Sequence, residues 1–148
     1  MSLLNLATTV CIGPMVGTEL AVSVFINPVI LRLEEGAQAR TVRMFAARLG
    51  MAMPFWYVLG LLLLLAEAVA LRHAPGAALL DVAAGIWALV IVLTLLFLVP
   101  INNRMARMEA GEFGKEAQRE HRKWDSLHRL RVAALGAAMV CFLVAIGV

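Results

Sequence analysis

The sequence predicts an all-α membrane protein: a four-transmembrane-helix bundle with one longer cytoplasmic loop that contains a surface helix. Three observations carry this. First, the 148 residues are 62% hydrophobic and only 16% charged, whereas a soluble domain is about half apolar and about a quarter charged. Second, the apolar residues gather into four stretches, at about 3–31, 44–71, 78–101 and 127–148. Each exceeds the ~20 residues that cross a ~30 Å hydrocarbon core. Third, strand-like alternation is absent, and Leu, Ala and Met dominate. A helix satisfies its own backbone groups in lipid, so helices are the natural solution. The composition excludes a water-soluble fold, a disordered tail and a nucleic-acid binder, although the pI is near 9.4. The length allows one domain, residues 1–148.

The first stretch contains Gly17-Thr18-Glu19-Leu20. An ionisable residue at membrane depth is costly, and is a functional candidate by default. Ser23 and Asn27 follow Glu19 at i+4 and i+8, on the same helical face. Pro28 then leaves the Val24 carbonyl without its helical donor. A polar stripe of this kind should face the bundle interior. The purely structural alternative is that Glu19 binds a neighbouring arginine and locks helix packing.

The second stretch holds Pro54 beside Met51, Met53, Phe55, Trp56 and Tyr57. Such a cluster is commonly packing, and here it would form the apolar wall of a pocket for a flat molecule. The third ends in Pro100-Ile101-Asn102-Asn103-Arg104, where the amides offer both donors and acceptors. Polar residues at about 102–126 form the long loop. Opposite charges at Glu116–Arg119 and Glu120–Lys123 support a surface helix feeding the fourth span. That span is entered by Trp124, His128 and Arg131 at i, i+4 and i+7, with His121 and Asp125 bordering the same face. Interfacial tryptophans anchor and interfacial arginines snorkel; neither explains a histidine between them, a group that titrates near neutral pH. Cys11 and Cys141 form no CxxC pair and read as small apolar filler.

Topology follows from charge. Of the 13 Lys and Arg residues, only Arg72 flanks the second loop, and the other 12 lie in or beside the first and third. The positive-inside rule places those loops in the cytoplasm and both termini outside. The expected location is a bacterial-type inner or plasma membrane. No Lys or Arg precedes the first span, so a cleaved signal peptide is not expected.

Depth at ~1.5 Å per residue sets Glu19 roughly 27 Å from Met1 and His128 roughly 30 Å from Val148. Tyr57 lies roughly 22 Å from Arg72 and Asn102 roughly 34 Å from Leu79. These converge on one level in the cytoplasmic half. Glu67 and Asp81 fall near the outer surface and read as boundary residues. The expectation is a pocket in which Glu19 and His128 face each other, with Asn102 and Arg131 at its mouth.

The Gly-x-Glu of the first span followed by Asn27-Pro28, the Pro-x-Asn closing the third, and Trp124-x-x-x-His128-x-x-Arg131 together resemble the anthrone oxygenase-like membrane family. The resemblance covers essentially the whole chain. It implies a small four-helix membrane protein. Its characterised fungal relatives oxidise polyketide anthrones to anthraquinones with dioxygen, without a classical flavin or haem. It carries over to Glu19, Asn102, Trp124, His128 and Arg131.

On that basis the sequence is expected to be an oxygenase acting on a flat hydrophobic, anthrone- or quinol-like substrate. His128 or Glu19 would be the base, with Arg131 and Asn102 as oxyanion donors. Trp124, Trp56 and Tyr57, with Asn27 and Ser23, would contact the substrate. The expected partners are that substrate, dioxygen, the lipid bilayer and a second copy in a homo-oligomer. No cofactor is assumed, but iron or copper on Glu19 and His128, with His121 as a further candidate, is a competing reading. The alternative function is a small proton-coupled transporter or a non-catalytic assembly subunit.

Overall fold

The computed structural model describes residues 2–107 and 115–147. These form four long helices, α1 (Leu3–Ile30), α2 (Glu35–Ala70), α3 (Ala77–Arg107) and α4 (Lys115–Gly147). All four are long and apolar enough to cross a membrane. This is a multi-pass membrane protein. α2, α3 and α4 outrun the apolar stretches at the end away from the termini, here called the basic end. Asn102, read from sequence as the start of the loop, lies inside α3. The run expected to be a surface helix is, from Lys115 onward, one unbroken helix with the fourth span. Residues 108–114 of that loop lie outside the described residues.

Local chemistry sets the helix shapes. Ser2 caps α1, its hydroxyl oxygen accepting the Asn5 N–H at 3.1 Å. Pro28 and Pro100 lack the N–H that an unbroken α-helix needs, and their rings would strike the carbonyl four residues back. Each is preceded by one wide π turn. In Val22–Ile26 the Asn27 N–H reaches back to the Val22 carbonyl. In Thr94–Leu98 the Val99 N–H reaches the Thr94 carbonyl. Such insertions are frequent at functional sites. Pro54 has no π turn before it, so the Gly50 carbonyl is left without a donor from that proline.

Each helix packs on its neighbours in sequence, and α4 closes the ring against α1; the α3–α4 seam is the most extensive. The core has two parts. One, towards the termini, includes Ile12, Met15, Leu64, Leu80, Trp87, Leu135 and Phe142. The other, towards the basic end, includes Val22, Ile30, Val42, Leu98, Ile101 and Met105. Polar residues from α1 and α4 lie between them. Outward faces carry exposed Phe55, Leu62, Leu89, Leu96 and Val140, as lipid contact requires.

Two contacts position α2. Gly60 lets Trp87 close onto the α2 backbone, where its indole N–H donates to the Tyr57 carbonyl at 3.0 Å. A Cβ at Gly60 would lie 2.7 Å from the Trp87 ring. Nearer the termini, Glu67, read as a boundary residue from its depth, is completely buried within the bundle. It accepts a hydrogen bond from the Thr8 hydroxyl at 3.1 Å. The Asn5 amide, turned to donate, reaches both carboxylate oxygens at 3.1 and 3.2 Å. A buried carboxylate satisfied in this way escapes the cost that isolation would impose. Asp81 is exposed, as a boundary residue should be.

Gly60→Ala should therefore lower stability by about 1–3 kcal/mol through overpacking against Trp87. Gly85→Ala, whose added Cβ meets nothing within 4 Å, should not. Thermal unfolding in detergent compares the two, and equal midpoints would show that the Gly60–Trp87 contact is not close.

Candidate functional site

Glu19 is nearly fully buried, at 2% exposure. Tyr57 donates its hydroxyl to Oε1 at 3.1 Å. Arg131 donates Nη2–H to Oε2 at 2.7 Å. The His128 ring, at 1% exposure, places Nδ1 3.2 Å from the same Oε2. Three helices thus meet on one carboxylate. Arg131 sits inside the cluster, not at the mouth where the sequence placed it. Its side chain is 11% exposed, and its guanidinium carbon lies 5.6 Å from the Tyr57 ring centre.

Donor geometry assigns the histidine tautomer. Arg131 Nη2 is 2.8 Å from His128 Nδ1. A guanidinium only donates, so Nδ1 must accept and the ring proton sits on Nε2. His128 is then neutral, and the cluster holds one anion and one cation.

His128 continues into an aromatic stack along α4. Trp124 lies over it at 4.7 Å, with planes 11° apart. His121 lies on the other face of Trp124 at 5.9 Å and 15°. The spacing of three and four residues puts these rings one above another on a single helical face. His121 Nε2 is 2.8 Å from Asn27 Oδ1. Asn27 donates its amide to Asp125, and Asp125 also pairs with Arg129 at 2.9 Å. Asn27 therefore ties α1 to α4 one level nearer the basic end than Glu19.

Above this floor lies a cleft of about 190 Å³. Glu19, Tyr57, Trp124, His128, Arg131 and Asn102 line it, with apolar Met53, Pro54, Val58, Ile91, Leu95 and Val99. A smaller cavity of about 40 Å³ lies alongside, lined by Asn27, Phe45, Met105 and His121 among others. Val22, Leu49, Asn102 and Trp124 line both. Among the described residues, five buried side-chain atoms lack a hydrogen-bond partner: Thr94 Oγ1, His121 Nδ1, Trp124 Nε1, His128 Nε2 and Arg131 Nε. All five belong to residues that line one of these two cavities. Unpaired buried polar atoms are rare and costly, and here they gather around the two cavities.

Of the residues singled out by sequence, Glu19, Tyr57, Asn102, Trp124, His128 and Arg131 come together on the cleft. Asn27 lines only the smaller cavity. Ser23 is buried but lines neither. Trp56 lies in the larger core part, its indole N–H donating to the Cys11 carbonyl at 2.8 Å. Tyr57 was legible as an aromatic wall but not as the hydrogen-bond partner of Glu19. Thr94 and Gly50 gave no sequence signal, though a threonine six residues before Pro100 could have been suspected.

A metal fits this donor set poorly. The Arg131 cation contacts Glu19 Oε2 and His128 Nδ1, at 2.7 and 2.8 Å, and so occupies one ligand atom of each. Among the described residues, no three of His, Cys, Asp and Glu are placed to hold an ion.

The fold and site together define a small four-span membrane protein with a buried carboxylate–guanidinium–imidazole cluster under an apolar cleft. Within that class, the chain belongs to the anthrone oxygenase family, whose model matches residues 42–141. The matched part contains Tyr57, Asn102, Trp124, His128 and Arg131; Glu19 precedes it. No curated protein and no solved structure matches the chain.

The Glu19–Arg131 pair yields a stability prediction. Arg131→Met strands a buried carboxylate and should cost about 3–5 kcal/mol. Adding Glu19→Leu removes the stranded charge and should restore much of that loss. Unfolding of the two single variants and the double gives the coupling, and strictly additive losses would show that the pair is not a unit.

Proposed function

We propose that the protein is a membrane-embedded oxygenase that oxidises a flat hydrophobic, anthrone-like substrate with dioxygen. The observation that carries this is the placement of four unpaired polar atoms, on Thr94, Trp124, His128 and Arg131, in residues that line one cleft with apolar rims. Family membership supports the oxygenase class.

The chemistry follows from the groups present. An anthrone carries an acidic CH₂ between two aromatic rings, opposite a carbonyl. The Glu19 carboxylate takes one of its protons. The electron pair left behind spreads onto the carbonyl oxygen, giving an electron-rich oxyanion. His128 Nε2–H, Trp124 Nε1–H and Arg131 Nε–H are donors suited to that charge. The carbanion is itself the reductant of dioxygen. Carbon–oxygen bond formation and protonation give a hydroperoxide. Loss of the remaining C–H proton with cleavage of the O–O bond then releases water and leaves the quinone carbonyl. Substrate plus dioxygen thus balances quinone plus water. On this reading no resident metal or flavin is needed. His128 serves as donor and Glu19 as base, a division that follows from the Nε2–H tautomer. Asn102, at the boundary of the two cavities, is a further donor.

Purified protein should consume dioxygen in stoichiometric step with anthrone. Glu19→Gln should lower that rate at least a hundredfold, the scale typical of losing a general base, while the protein stays folded in detergent. His128→Ala should lower it as well, without abolishing substrate binding. Proton-coupled solute flux in proteoliposomes, with no oxygen uptake, would decide for a transporter instead.

For orientation we infer a cytoplasmic basic end, on the 12-to-1 division of basic residues. In a Cys11→Ala, Cys141→Ala background, exposed His73→Cys should react with an impermeant maleimide in intact cells. Exposed Arg119→Cys should react only after lysis. The reverse pattern would invert the topology.

A further inference from the structure

The cleft opens sideways. One rim is Gly50, Pro54 and Val58 on α2, and the other is Ile91, Leu95 and Val99 on α3. Both sets recur at i, i+4 and i+8, so each forms a straight stripe along its helix. Val58 is 52% exposed and Leu95 60% exposed. Their neighbours Phe55 and Leu96, at 78% and 62%, stand on the outer face of the bundle. The rims therefore stand on the surface that meets lipid, while Glu19 and His128 form a buried floor beneath them. Gly50 faces open space, since a Cβ there would meet nothing within 4 Å. The route from the basic end is tighter: it runs through the small cavity, past buried Ile30, Val42 and Met105.

We propose that the cleft is loaded from within the bilayer, through a lateral portal between the Gly50–Pro54–Val58 and Ile91–Leu95–Val99 stripes. Its occupant is a flat apolar molecule already dissolved in the hydrocarbon. Such a molecule slides between two apolar rims and keeps its carbon surface out of water throughout. It meets polar groups only at the floor, where Trp124, Arg131 and His128 offer N–H donors. This rests on the reading of the cleft as the site of a flat hydrophobic substrate.

The test follows Trp124 fluorescence in protein held in lipid nanodiscs, with 9,10-anthraquinone delivered in the lipid as quencher. The Trp124-dependent part is the difference between the protein and its Trp124→Phe variant. In the unaltered protein that part should be quenched. Val58→Phe, Leu95→Phe and Gly50→Phe should each slow it at least tenfold. Val58→Ala should leave it as fast or faster, and Val140→Phe, on an exposed face of α4 that contributes no rim residue, should leave it unchanged. Thermal unfolding checks that the plugged variants are folded. Rates unaffected by the rim substitutions, or a slowing produced by Ala46→Phe in the smaller cavity and not by the rims, would overturn the portal and leave the proposed chemistry standing. Absence of any Trp124-dependent quenching in the unaltered protein would overturn both.

Discussion

The ion pair between Glu19 and Arg131 is the constraint around which the rest of the molecule is arranged. It joins the first helix to the last in a medium with almost no capacity to solvate either charge. Such a pair stabilises only when its geometry is good and its remaining valences are filled. Tyr57 and His128 fill them, which draws α2 into the same layer. The layer lies between two separate apolar cores, so it also fixes register. Sliding α4 by one turn, about 5.4 Å, would leave apolar packing roughly interchangeable but would separate every polar partner. Buried polar groups in coiled coils fix alignment in the same way.

The cleft exists because the helices beside it are not smooth. Pro28 and Pro100 each force an extra residue into the preceding turn, and both wide turns lie against the cavities. The first begins at Val22, which lines both; the second begins at Thr94, whose hydroxyl is unpaired on the larger. Pro54 acts differently, leaving the α2 helix intact but releasing the Gly50 carbonyl at the rim. Regular helices with side chains at every position would close on one another at native density. The three prolines keep the facing helices irregular where the interior stays open.

Much of this was legible in the sequence because lipid makes the rules strict. Four spans follow from length and hydropathy, and a buried Glu19 stands out because the surrounding medium would punish it. The depth reckoning brought Glu19, Tyr57, Asn102 and His128 to one level. What it could not supply was rotation about each helix axis. Trp56 and Tyr57 are adjacent, yet one packs in the core beside Cys11 and the other faces Glu19. Ser23 lies on the predicted stripe and is buried, as Asn27 is, but lines neither cavity. Glu67 lies near the helix ends, level with Asn5 and Thr8, yet is buried. Counting residues gives depth along a helix, not whether a partner such as Asn5 or Thr8 awaits the side chain.

The separation of Arg131 from Glu19 along the chain, 112 residues, has a consequence for biogenesis. At roughly 5–20 residues per second, the first helix is synthesised roughly 5–20 seconds before its counter-charge exists. Tyr57 comes only 38 residues after Glu19, so the α1–α2 hairpin supplies a neutral hydrogen-bond partner well before the cation arrives. The hairpin then acts as a waiting state in which the carboxylate is sheltered but not neutralised. Only insertion of α4, made after the other three helices, completes the polar layer. A chain truncated before Arg131 would carry an unpaired Glu19 in the membrane, giving quality-control machinery a direct mark of incomplete synthesis.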